Sequence, residues 1–176
     1  MHRLDEIRSY MENCIKEQVE NSISAEREYL NNASSEVKNK LVFKIRQVLK
    51  NSGGNAQNVM VCYLYSSIAE EKCELCLFSF KDFPFIIMPE NETYMDYSEI
   101  LKLHVVSMEY LKKEIRKKFV QLCPYEIEEI RREFMYRYSA GIGKLLRSVL
   151  NNEEGNIRVF FGTYMGEYEE IGRVLV

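Results

Sequence analysis

Val59-Met60-Val61-Cys62-Tyr63-Leu64-Tyr65 is the stretch on which the fold turns. It is short, β-branched and aromatic, the texture of a buried strand. A second run of the same kind follows from Cys73 to Phe80, after the polar Ala69-Glu70-Glu71-Lys72. The two together predict an antiparallel hairpin. Phe85-Ile86-Ile87-Met88, held between Pro84 and Pro89, is expected to add a third strand at a sheet edge, where proline is tolerated.

Upstream of the hairpin the period is helical. Leu4, Ile7, Met11, Cys14, Ile15, Val19 and Ile23 recur at three- and four-residue steps with Glu, Arg and Lys between them. This predicts a long amphipathic helix to about Leu30. Asn31 to Ser35 is a polar break, where Ser34 or Ser35 can cap a second helix carried by Val37, Leu41, Val42, Ile45, Val48 and Leu49. Asn51-Ser52-Gly53-Gly54-Asn55 ends it.

Helical spacing returns downstream. Asp96-Tyr97-Ser98-Glu99 has the form of a capping box, followed by Leu101, His104, Val105, Met108, Leu111, Ile115, Phe119 and Leu122. Pro124 suits a first helical position, and Ile127, Ile130, Phe134, Tyr138, Ile142, Leu145 and Val149 continue one stripe. Gly141 and Gly143 inside that stripe predict a kink, a break or a close helix contact. Ile157 to Met165 and Ile171 to Val176 form a second hairpin.

The fold class is therefore α+β, one globular domain over residues 1–176, with a mainly antiparallel sheet packed against helices. Two helices and a hairpin occur twice, so an internal duplication with halves 1–92 and 93–176 is expected, with a binding groove at their join. Val48 to Asn55 and Val149 to Asn156 agree at five of eight positions. A helix ending in a Gly and Asn turn before a strand would look the same without any duplication.

The 176 residues are 46% apolar and 29% charged, enough apolar matter for one substantial core. The longest apolar run, Phe83 to Pro89, is far short of the ~20 residues of a spanning helix. The first residues carry no apolar stretch of the secretory kind, and five scattered cysteines, an odd number, read as small buried hydrophobes. A cytoplasmic protein without membrane contact is expected.

The chemistry is sparse. Cys73-Glu74-Leu75-Cys76 is a single pair without a second, in a strand where residues three apart face opposite ways, so structural thiols are expected and no metal. Gly141-Ile142-Gly143-Lys144 resembles a fragment of a phosphate loop, but Tyr138 stands where its first Gly belongs, Leu145 replaces the Ser or Thr, and a helix precedes it. Of two histidines, His2 is terminal and His104 lies on an apolar stripe. No catalytic set and no cofactor follow from these residues.

Charge is distributed more tellingly than its total of −3. Residues 101–150 hold eleven Lys and Arg against six acids, whereas residues 51–100 hold two against eight. Lys112, Lys113, Arg116, Lys117 and Lys118 form a dense basic run, with Arg131, Arg132 and Arg137 on the next helix. Twelve tyrosines accompany them, a residue that favours contact surfaces. The leading expectation is a non-catalytic protein-binding module, an immunity, adaptor or chaperone-like protein acting through its bipolar, Tyr-rich surface, with homo-oligomers allowed. The alternatives are a small-ligand binder or enzyme using the groove, and a phosphate or nucleic-acid contacting factor using the basic helix. A pI near 5.6 weighs against nucleic acid.

Overall fold

The computed structural model describes residues 3–53, 56–64, 74–82, 88–150, 155–163 and 166–175, without the side chains of Ser34 and of residues 98–104. Helix α1 (Arg3–Asn51) leads into strands β1 (Asn58–Tyr63), β2 (Glu74–Phe80) and β3 (Asn91–Asp96). Helices α2 (Ser98–Lys118) and α3 (Pro124–Leu150) follow, and strands β4 (Ile157–Thr163) and β5 (Tyr168–Val174) close the chain. The class is α+β, with the helices over a five-stranded mixed sheet of order β3-β2-β1-β4-β5.

The helical segments end where their sequence requires it. Ala33, inside the polar break, leaves helical backbone at φ −117° and ψ 18°, so two helical segments of α1 meet there at a kink. Ser52 donates its backbone N–H to the Leu49 carbonyl, and its hydroxyl adds a second bond of 2.7 Å. Gly53 then turns the chain at φ 69°, a conformation that glycine adopts without a Cβ penalty.

Helix α3 starts at Pro124, and Glu126 reaches back to accept the Cys123 backbone N–H at 2.8 Å. This is one arm of a capping box. The same carboxylate is buried and pairs with Arg3 Nε at 2.8 Å, which ties the two helix starts together. Helix α2 differs from the capping box expected over Asp96 to Glu99. Its N-cap residue is Tyr97, with no side-chain cap bond, and Asp96 closes β3 opposite Glu74, while the Glu99 side chain lies outside the described ones.

The first hairpin forms as its texture requires, β1 and β2 pairing antiparallel with Val59 opposite Ser79 and Cys62 opposite Cys76. The strand expected over Phe85 to Met88 falls mostly outside the described residues. Of Phe85-Ile86-Ile87-Met88, the first three lie outside the described residues, and Met88 is an exposed residue outside any strand. Among the described residues Asn91–Asp96 is the edge strand, with only Met95 fully buried. Its mixed polar sequence carries little hydropathy signal, and its place is fixed by backbone pairing to β2.

At the centre of the sheet β1 and β4 run parallel, Val59 opposite Val159 and Val61 opposite Phe161. Those residues, with Leu75, Leu77, Met95, Ile171 and Val174, face the helices and join Ile7, Met11, Leu41, Ile45, Leu111, Ile115, Phe134, Tyr138 and Ile142 in one core. Each fully buried side chain of this kind contributes about 1.5 to 3 kcal/mol. The opposite face of the sheet holds a separate apolar cluster of Met60, Cys62, Cys76, Phe78, Phe80 and Phe160.

The strand order bears on the duplication. β1 and β4 point the same way and turn the same face to the helices, yet β2 flanks β1 on one side and β5 flanks β4 on the other. A rotation that lays β1 on β4 with the helices over the same face therefore sends the two hairpins in opposite directions. This topology does not confirm the duplication, and shared capping chemistry is enough to account for the similar helix ends. Gly141 and Gly143 likewise resolve to one of the expected alternatives. They lie within one helix, where Gly141 meets Ile23 of α1.

Candidate functional site

Helix α2 turns Met108, Leu111 and Ile115 into the core and leaves its other side to solvent. Val106 is 68% exposed and Tyr110 38%. With Lys113 and Lys117 they stand at steps of four, three and four residues, one continuous outer stripe. Glu109, Tyr110, Lys112, Lys113 and Arg116 line a shallow depression of about 420 Å³ there.

The basic run expected from sequence is on this helix, but its charges are unequal. Lys112 Nζ is 2.7 Å from Glu109, and that hydrogen bond, with the nearby charges of Lys112 and Arg116, lowers the Glu109 pKa. Lys117 Nζ is 2.6 Å from Glu114, whose hydrogen bond raises the lysine further. Lys118 reaches across to Glu6 of α1 at 3.5 Å and lies over the Tyr10 and Phe119 rings at 5.0 and 5.4 Å. Lys113 and Arg116 have no ion-pair partner among the described residues and are exposed. They are the uncommitted cations of the run.

Arg131 and Arg132 belong to α3, held by Glu128 at 3.7 Å and Glu129 at 3.6 Å. Arg137 is held by Glu133 at 2.6 Å. Glu129 is also bound by Arg8 of α1, at 2.5 Å. Arg131, Arg132 and Arg137 thus share no ion-pair partner with the run on α2, and their charge is engaged within α3 and, for Arg137, also with Glu12 of α1. Sequence reasoning found the cations and missed Val106 and Tyr110 beside them. Helical projection from Lys113 back by three and seven residues was the signal.

A groove of about 820 Å³ lies elsewhere, between α3 and the β4–β5 hairpin. Tyr136, Ala140 and Lys144 line it from α3, and Phe161, Thr163 and Tyr168 from the hairpin. It sits inside the second half of the chain and not at the join between halves. Gly141-Ile142-Gly143-Lys144 is plain α-helix, so no phosphate-cradling loop exists there, although Lys144 lines this groove.

Among the described residues no three His, Cys, Asp or Glu side chains converge as metal ligands do. Cys73 and the side chain of His104 lie outside those residues. Cys76 stands opposite Cys62 across the β1–β2 ladder, both thiols free and buried, and burial pushes each up to about 12. Such thiols are poor nucleophiles and poor ligands near neutrality. No helix among the described residues is long and apolar enough to cross a membrane. No family profile, no curated protein and no solved structure matches this chain.

Proposed function

We propose that this protein is a non-catalytic, cytoplasmic protein-binding module of the small acidic immunity, adaptor or chaperone-like class, and that the outer face of α2 is its docking surface. The observation that supports the reading is the stripe of Val106 and Tyr110 beside the uncommitted cations Lys113 and Arg116. Apolar and aromatic groups give contact area, and free cations select an acidic counterpart. The partner is therefore an acidic protein surface that also carries apolar side chains. Two uncommitted cations are few for a phosphate backbone, whose binding draws on many.

A photo-crosslinker placed at Tyr110 tests this. The wild-type background and an Arg131→Glu, Arg132→Glu variant are expected to capture the same acidic protein. A Lys113→Glu, Arg116→Glu, Lys117→Glu variant is expected to lose it, and wild-type capture should fall steeply with salt. A folded triple variant that captures the same protein as well as wild type overturns the reading.

The second reading is a small-ligand binder using the groove lined by Phe161 and Lys144. Its volume of about 820 Å³ supports it, being in the range of ligand pockets, as does the mixture of rings with Lys144. An anionic aromatic dye such as anilinonaphthalene sulfonate should bind at one site and be displaced by Ala140→Trp. Equal binding to a folded Ala140→Trp variant removes this reading.

A further inference from the structure

Glu26 is 1% exposed, on the stretch of α1 that lies between α2 and α3. Its Oε2 accepts the Tyr138 hydroxyl of α3 at 3.3 Å. Tyr97, the N-cap residue of α2, bears on the same carboxyl. One turn earlier Ser22 and Ser107 share a buried hydrogen bond of 2.9 Å between α1 and α2, and Ile23 lies against Gly141 of α3. Buried polar contacts one turn apart on α1 thus join it to α2 and to α3.

The contacts of Glu26 are short of what a carboxylate needs. Oε1 has no hydrogen-bond partner among the described residues. The titratable groups that face Glu26 are Tyr97 from the β3–α2 junction and Tyr138 from α3, and neither a cation nor a second acid is among the described groups acting on it. A buried anion with phenol donors and no counter-charge is expensive, whereas the neutral acid is tolerated. Burial accordingly raises Glu26 to about 7, against the opposing pull of the Tyr97 and Tyr138 hydroxyls.

We propose that Glu26 is a proton-operated latch at the three-helix junction: as the neutral acid it fastens α1 to Tyr138 and to the start of α2, and on ionisation it loosens that junction. Because the folded pKa is raised above the ordinary value of 4.5, the contribution to stability is full below 4.5. It is lost progressively as pH climbs to about 7, and above that the loss is complete. The charged acid then gains by drawing water to Oε1, which parts the helices at the level of Tyr97.

Denaturant unfolding between pH 5 and 8 compares wild type with Glu26→Gln, which keeps the shape without the charge. The folding equilibrium constant of wild type is expected to fall about a hundredfold relative to Glu26→Gln across that range. A His104→Gln variant should retain the fall, since it leaves Glu26 in place. Parallel profiles for wild type and Glu26→Gln overturn the proposal. Carbon-13 NMR of the Glu26 carboxyl reads the titration directly, even if the glutamine variant fails to fold. A midpoint near 7 supports the latch, and one near 4.5 overturns it. Amide exchange in the first turns of α2, corrected for intrinsic rates, should speed up tenfold or more from pH 6 to 8 in wild type. Unchanged protection there shows a buried acid that titrates without opening anything, and overturns the loosening.

Discussion

At Gly141 a Cβ would stand 2.7 Å from Ile23 Cγ1 and nearer still to Cδ1, so this position sets how closely α1 and α3 approach. Two effects oppose each other on substitution. Ala gains up to about 1 kcal/mol in helix propensity over Gly, while overpacking costs about 1 to 3 kcal/mol. Overpacking is expected to win, so Gly141→Ala should lower stability by about 1 kcal/mol in denaturant titration. Ile23→Ala in the same chain should recover part of that loss, a coupling that a double-mutant cycle measures. Additive losses would mean that the two helices do not meet here. The sequence marked Gly141 as unusual but left kink, break and contact open. Only the identity of the neighbour across the interface chose among them.

Helix α2 shows what a period can and cannot tell. The Met108, Leu111, Ile115 stripe fixed its inner face, and by difference its outer one. Which cations on that outer face are free depends on acids one turn away and on Glu6, far off in the chain. Reversing Lys113, Arg116 and Lys117 to Glu is expected to shift Tm by less than about 4 °C, since exposed charges with modest partners contribute little. A collapse of the fold would show that these charges hold the helix in place. Strand β3 is the counterpart case. A polar edge strand has no apolar alternation to read, so its pairing with β2 belongs to the sheet and not to its own residues.

Across the whole molecule, the sheet divides the thiols by environment. Cys123 is exposed, Cys14 half-buried, and Cys62 and Cys76 are closed into the apolar cluster on the face away from the helices. Alkylation by iodoacetamide at pH 8, followed by mass spectrometry, is expected to label Cys123 at once and Cys62 and Cys76 only as the sheet unfolds. A chelator should leave Tm unchanged. Prompt labelling of all four, or a Tm that drops with chelator, would contradict that arrangement. The class α+β, the end of α1 at the Asn51 to Gly53 turn, the end of α3 near Leu150, and the β1–β2 hairpin were all legible in the sequence, because period, caps and turns are local properties. Tertiary structure alone decided that β4 pairs parallel to β1, that the hairpins extend to opposite sides, and that Glu26 meets Tyr97 and Tyr138. Those contacts join residues far apart in the chain, and their energies come from burial and pairing that exist only after the helices close over the sheet.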